Sequence, residues 1–370
     1  MPRVSVVVPI YNVEPFLEEC LQSVETQTFT DFEVVMVDDG STDGSARIAR
    51  EFEQRDGRFR LVQQANGGLG CARNTGIDRS VGDTMLFLDS DDVLPPDALQ
   101  LLLTALDTSG SDFATGNVWR IRPAGLMPST WLAPVFAESR LATHVTKFRP
   151  LIADRLACNK LWRRSFWDEH GLRFPEGVLH EDIYVTVPAH FLARSVDVVS
   201  EPVYYWRARV GDVRSITQRR TEITTIQHRL AAIDHVRQFL RAQQLPEALR
   251  WYDASVVADD LRPFITLLLR ADEDYRRQFL DLVNDFLDDT DPSIFDELPP
   301  DERQRWELVR ARDLDGLFAL LRRQRREGRQ TPVDVQPPTL VERVARRVPQ
   351  SVRRLVPRSV RRRLLRPGGR

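Results

Sequence analysis

The first ninety residues repeat one short pattern, and that pattern leaves few folds open. Residues 4–9 form an apolar, β-branched run, as a strand buried on both faces requires. Apolar residues then recur at Phe16, Leu17, Cys20, Leu21 and Val24, the spacing of one helical face. Residues 33–37 read as a second buried strand, 45–52 as helix, and 58–63 as a shorter strand. Gly67-Gly68-Leu69-Gly70 opens a helix through Ile77, and 84–88 is a fourth strand. The alternation predicts an α/β fold around a mainly parallel sheet with helices on both faces.

The rest of the chain is organised differently. Between 93 and 215 the pattern is mixed, with helix over 98–106 and extended stretches over 112–122 and 196–206. Beyond 221 the apolar spacing turns helical over 226–240, 247–269, 275–287 and 314–323, with a kink or break near Pro263. These shifts predict a domain over 1–220, a helical region over 221–330 and a tail over 331–370.

Charge supports that division. The 370 residues carry 52 Lys and Arg against 54 Asp and Glu, a net of −2. Residues 331–370 hold 11 Arg against Asp334 and Glu342, or 11 − 2 = +9, so residues 1–330 carry −2 − 9 = −11. The chain is an acidic body with a basic tail. Only Lys147 and Lys160 are lysines, which fits an Arg-favouring genome. Cys20, Cys71 and Cys158 are sparse and lack metal-ligand spacing, as in a reducing compartment. No uncharged run approaches the ~20 residues of a membrane span, and the N-terminus does not read as a signal peptide. The expected location is cytoplasmic, with peripheral attachment to the inner face of the membrane through the tail.

Polar motifs follow the strand ends, where open α/β sheets bind ligands. Asp89-Ser90-Asp91 follows the fourth strand, and its carboxylates suit Mg²⁺ or Mn²⁺ bridging to a diphosphate. The alternative is that Asp91 or Asp92 caps a helix starting near Pro95-Pro96. Before it come Val8-Pro9-Ile10-Tyr11-Asn12, Val37-Asp38-Asp39-Gly40-Ser41-Thr42-Asp43, and the stretch from Asn66 through Arg73-Asn74-Thr75-Gly76. In this order the motifs resemble the family 2 glycosyltransferases, inverting enzymes with a GT-A fold. The resemblance is dense over about residues 3–120. It continues through Asn159-Lys160-Leu161-Trp162, Phe174-Pro175-Glu176-Gly177 and His180-Glu181-Asp182. A dinucleotide reading fails because no G-x-G-x-x-G follows the first strand.

The resemblance implies a UDP-sugar donor and assigns roles. Asp39 would read the uracil ring, Tyr11 flank it, and Pro9 shape the turn beneath. Asn66, Asp89 and Ser90 would join the donor site, and Asp91 would bind Mn²⁺ or Mg²⁺. Arg73 would reach the base or pyrophosphate; its alternative is a surface ion pair. Asp38 is alternatively a turn carboxylate, and the glycines at 67, 68 and 70 either admit the donor or make a simple turn. Asp182 matches the family's base, deprotonating the acceptor hydroxyl with Glu181 beside it; both are alternatively helix N-terminal acids. In the stretch 205–217, Arg207 and Ser215 match a loop that closes over the diphosphate in related enzymes. Some relatives place a metal-ligating His there, and this chain offers Asp212 instead, which leaves a third metal ligand open.

Departures narrow the choice. Gln218-Arg219-Arg220-Thr221 lacks the Trp of the QxxRW signature of processive synthases. The segment from Asn159 to Thr217 looks most like bacterial transferases that decorate wall polymers, including teichoic-acid glycosyltransferases, whose helical carboxy-terminal region would support a homo-oligomer. The resemblance therefore implies transfer to a hydroxyl of a cell-surface polymer or glycan. The competing readings are a lipid-linked or small-molecule acceptor, or a non-catalytic membrane-associated scaffold. The tail alternates apolar residues with Arg and is broken by Pro349 and Pro357. It would meet an anionic leaflet or a polyanionic acceptor, or stay solvated or paired with the acidic body. Nucleic acid is not expected, since no aromatics interleave the arginines.

Overall fold

A computed structural model describes residues 1–122, 124–208 and 222–327. They fall into two compact units, within Met1–Ala208 and Arg209–Leu340. The expected boundary at 220, the expected roles of Ser215 and Asp212, and the whole tail 331–370 lie outside the described residues.

In the first unit β1 (Val4–Ile10), α1 (Glu14–Glu25), β2 (Phe32–Asp38), α2 (Ser45–Arg55), β3 (Phe59–Gln63), α3 (Leu69–Arg79) and β4 (Thr84–Phe87) follow in strict alternation. Then come α4 (Ala98–Ser109), β5 (Phe113–Arg122), β6 (Gly125–Pro128), β7 (Arg140–Thr143), β8 (Lys160–Arg163), α5 (Arg164–Glu169), α6 (Glu181–Leu192) and β9 (Val196–Arg207). The sheet runs β3-β2-β1-β4-β8-β5-β9-β7, with β6 beside β5. Its first four strands are mutually parallel. β8 enters antiparallel between β4 and β5, and β9 returns parallel to β5. Every residue of β1 is buried, which explains its unbroken apolar run. One face of the sheet packs Val7, Met85 and Phe113 against Ile77, Phe166, Trp167, Phe174 and Val185.

The second unit is helical: α7 (Ile223–Ala242), α8 (Pro246–Ser255), α9 (Arg262–Leu267), α10 (Glu273–Asp288), α11 (Pro300–Arg310) and α12 (Leu314–Arg326). The helical run over 247–269, expected to kink or break near Pro263, is interrupted a few residues earlier, by a wide π-helical turn, Val256–Asp260, before α9. Pro263 sits in the first turn of α9, where its missing N–H costs nothing. α11 escaped the sequence pattern because its buried side chains are just Arg305, Trp306 and Val309. Inside this unit Arg237 of α7 pairs with the buried Asp253 of α8 at 3.1 Å. Burial pushes the Asp253 carboxyl up to about 6, against the pull of Arg237.

The order 3-2-1-4 places the switch point of the sheet between β1 and β4. The motifs after β1, β2 and β4 therefore share one rim.

Candidate active site

The site begins with the turns that end β1 and β2. Pro9 lies beyond the last β1–β4 pair, Val7–Phe87, so its missing N–H costs no ladder bond on that side. Tyr11 follows at the surface, 50% exposed. Asn12 takes a left-handed backbone, φ 49°, which asparagine tolerates, and its Oδ1 accepts from the Thr42 N–H at 2.8 Å. Asp38 is a turn carboxylate, accepting from Ser41 N at 3.1 Å and from Gln63 Nε2 at 3.0 Å. Asp39, 3% exposed, accepts from Gly67 N at 2.9 Å, Gly68 N at 2.8 Å and Gln64 Nε2 at 2.7 Å. Asn66 Nδ2 closes the ring on the Asp39 carbonyl at 3.0 Å. Asp39 thus organises the glycine turn that opens α3. Gly68 there has φ 86°, a conformation that favours glycine.

α3 carries the motif Gly70-Cys71-Ala72-Arg73-Asn74, and the folded chain shows what it meets. Asn74 bonds Phe174 in both directions, Nδ2 to its carbonyl at 2.8 Å and Oδ1 from its N–H at 3.0 Å. A Cβ on Gly70 would collide with the Pro175 carbonyl oxygen, so the backbone of that segment rests directly on the helix. This docking aims the chain toward His180, whose left-handed backbone (φ 63°) turns it into α6. Glu181 and Asp182 thereby point back at α3.

Arg73 receives them. The sequence left a surface ion pair as its alternative role; instead Arg73 is 1% exposed, with its guanidinium 5.0 Å from the centre of the Phe174 ring. Nη1 bonds Glu181 Oε1 at 2.8 Å and also Asp182 Oδ1, while Nη2 bonds Asp89 Oδ1 at 2.8 Å. Burial works against its charge, and Asp182, Asp89 and Glu181 together more than outweigh that. Burial likewise pushes the Glu181 carboxyl up to about 7 despite the pull of Arg73. Asp89 is raised by burial, with Arg73 again opposing. The other Asp182 oxygen, Oδ2, accepts from Ala157 N at 2.9 Å. Three carboxylates from two distant segments thus meet on one buried cation.

The end of β4 is tied to β9 as well. Asp92 does not cap the following helix. It is 1% exposed and accepts from the Tyr204 hydroxyl at 2.7 Å and the Arg207 N–H at 2.6 Å. Burial, then the neighbouring Asp91 and Asp89, raises its carboxyl well above the ordinary range. The Arg207 side chain donates from Nε to the Asp91 carbonyl at 2.7 Å and pairs with Glu19 at 2.9 Å. Ser90 is buried between Asp89 and Asp91, both of which are partly exposed. Among the described residues no three His, Cys, Asp or Glu side chains converge as a ready-made metal cage. The oxygen donors of Asp89 and Asp91 fit an ion that completes its shell with phosphate oxygens, as Mg²⁺ and Mn²⁺ do.

Several contributors were given no role by the sequence. Phe174 lies beneath Arg73, Tyr204 holds Asp92, and Lys160 sits fully buried on Asp154 at 2.7 Å. The signal available for Lys160 was its rarity in an arginine-rich chain.

Comparison with known proteins agrees with this architecture. The model of glycosyl transferase family 2 matches residues 5–166, and that of the glycosyl transferase TarS linker domain matches 231–321. The glycosyltransferase GlyG of Streptococcus pneumoniae is 38% identical over 219 residues, 57% of this chain and 72% of its own. The putative glycosyltransferase EpsH of Bacillus subtilis is 36% identical over 223 residues, 59% of this chain and 63% of its own. TarS of Staphylococcus aureus, a poly(ribitol-phosphate) beta-N-acetylglucosaminyltransferase, is 30% identical over 56% of this chain and 36% of its own. The chain spans 63%, 32% and 64% of the lengths of the first three curated relatives it matches. The crystal structure of TarS residues 1–349 with UDP-GlcNAc superposes with TM-score 0.65 at 22% identity, covering 91% of this chain and 95% of that one. That likeness establishes the shared fold.

Proposed function

The chain belongs to the family 2 glycosyltransferases, and we propose that it transfers a hexosyl or N-acetylhexosaminyl group from a UDP-sugar, with inversion, to a hydroxyl of a phosphate-rich cell-surface polymer. The observation that carries the reading is the meeting of Asp89 from β4 with Glu181 and Asp182 from α6 on one buried arginine. It supports a donor end and a base end held together by one cation.

In this reading Asp39, Asn66 and Tyr11 frame the nucleobase, while Asp89 and Ser90 face the sugar and diphosphate. Asp91, with Asp89, would hold Mn²⁺ or Mg²⁺, which supplies positive charge to the departing diphosphate. Asp182 accepts the proton of the acceptor hydroxyl. The freed oxygen attacks the anomeric carbon from the face opposite UDP. The bond from that carbon to the diphosphate oxygen breaks, and its electron pair leaves with UDP. Asp182 suits the role better than Glu181 by access: its side chain is 18% exposed against 6%. Arg207 and Ser215 would steady the diphosphate. The TarS relative supports N-acetylglucosamine as the first donor to try and poly(ribitol phosphate) as the acceptor.

The test is UDP release from a panel of UDP-sugars with poly(ribitol phosphate), with Mn²⁺ and with EDTA. Turnover of one sugar that EDTA abolishes is expected; no turnover of any sugar sinks the function, and turnover in EDTA sinks the metal. The basic residues 331–370 would hold such a polyanion or an anionic leaflet. Their removal is expected to raise the acceptor KM and leave donor binding unchanged, and an unchanged acceptor KM dismisses the polyanion role.

A further inference from the structure

Beneath the site lies a buried ion pair to which the transfer reaction assigns no role. Lys160, at the start of β8, and Asp154 are both fully buried. Lys160 Nζ has four oxygens around it: Leu156 O at 2.6 Å, Asp154 Oδ2 at 2.7 Å, Asn159 Oδ1 at 3.1 Å and Asp154 O at 3.3 Å. So many acceptors and no donor are the surroundings of an ammonium. The carboxylate is held in turn by Thr115 Oγ1 at 2.6 Å and Asn159 Nδ2 at 3.1 Å. Of the neighbouring carbonyls, Arg155 O accepts from Thr186 Oγ1 at 2.9 Å, and Asp154 O lies 3.2 Å from His190 Nε2. Three successive carbonyls, at 154, 155 and 156, are therefore pinned from the core side.

The consequence lies in one peptide group. The Leu156 carbonyl bound by Lys160 and the Ala157 N–H that meets Asp182 Oδ2 at 2.9 Å are the two ends of one peptide unit. No peptide in the described chain is cis, so the two ends point in opposite directions. Drawing the oxygen toward Lys160 turns the hydrogen toward Asp182. The ammonium also polarises the amide and strengthens the N–H as a donor. We propose that Lys160, supported by Asp154, is a positioning residue for the base, aiming the 156–157 peptide so that its N–H holds Asp182 in its reactive orientation. The proposal rests on Asp182 being the base and adds to it a group that touches neither donor nor acceptor.

The experiment compares wild type, Lys160→Met and Asp154→Asn/Lys160→Met; the double variant leaves no buried charge unpaired and serves if the single one does not fold. Two readouts are taken: UDP release from UDP-GlcNAc with poly(ribitol phosphate), and the Ala157 amide resonance in protein labelled with ¹⁵N-alanine. That resonance is assigned by its loss in Ala157→Gly. A fall in kcat of about 10²-fold with donor KM unchanged is expected, the scale of a misplaced reacting group. The Ala157 proton is expected to move upfield, as is also expected in Asp182→Asn, where a neutral amide oxygen replaces the carboxylate. A folded variant that keeps kcat within threefold, or keeps the Ala157 resonance at its wild-type position, overturns the proposal. If wild type itself releases no UDP, the function proposed above has failed, and the Ala157 resonance still decides whether Lys160 aims the peptide.

Discussion

Asp182→Asn is expected to lower sugar transfer by about 10²–10⁴-fold, the range a positioned general base contributes. The amide has the shape of the carboxylate and keeps an oxygen for the Ala157 N–H, so the fold around it is retained. What it loses is the ability to take a proton, together with one of the charges on Arg73. Glu181 does not replace it, because its carboxyl is bonded to Arg73 at 2.8 Å and its side chain is 6% exposed. UDP release measured beside UDP affinity separates the two effects. Transfer within tenfold of wild type at unchanged affinity would remove Asp182 from the mechanism.

The second large effect concerns stability. Arg73→Met keeps an apolar side chain of similar length over Phe174 and deletes the cation shared by three acids. Breaking a buried pair by removing one partner costs about 3–5 kcal/mol, since it strands charge in the interior. The loss depends on pH, and its sign follows from the two raised carboxyls. Glu181 already titrates at about 7 because of burial, with Arg73 pulling it down, and Asp89 is raised by the same cause. Without Arg73 both rise further. A carboxyl raised on folding costs nothing below its unfolded value, about 4, and costs more as pH climbs toward its folded value. Urea unfolding is therefore expected to show a larger deficit at pH 8 than at pH 5. An equal deficit at both values would mean that Arg73 acts by packing alone.

The rim of the site was legible because its parts are local. A strand buried on both faces announces itself as an apolar run, and the residues after it inherit the rim, so Asp39 and Asp89 were placed by chain order alone. Arg73 was not, because nothing near position 73 shows that Glu181 and Asp182 fold back on it more than a hundred residues later. Asp92 had one local reading, a helix cap, and did not take it, since its partner Tyr204 arrives with β9. β8 is four residues long and begins with a buried lysine, so hydropathy gave no sign of a central strand. Long-range pairing defeated the reading in each case.

The resting of Pro175 on Gly70, with the two-way bond between Asn74 and Phe174, bears on how such enzymes can be recombined. It fastens α3 to the segment that delivers Glu181 and Asp182, across a hundred residues of intervening chain. A hybrid joined just after β4 would pair one parent's α3 with another parent's 174–182 segment, and the two surfaces would have to match at backbone contact. The natural unit of exchange is therefore the whole first unit, and new sugar or acceptor preferences are better sought by changing loops within it than by trading halves.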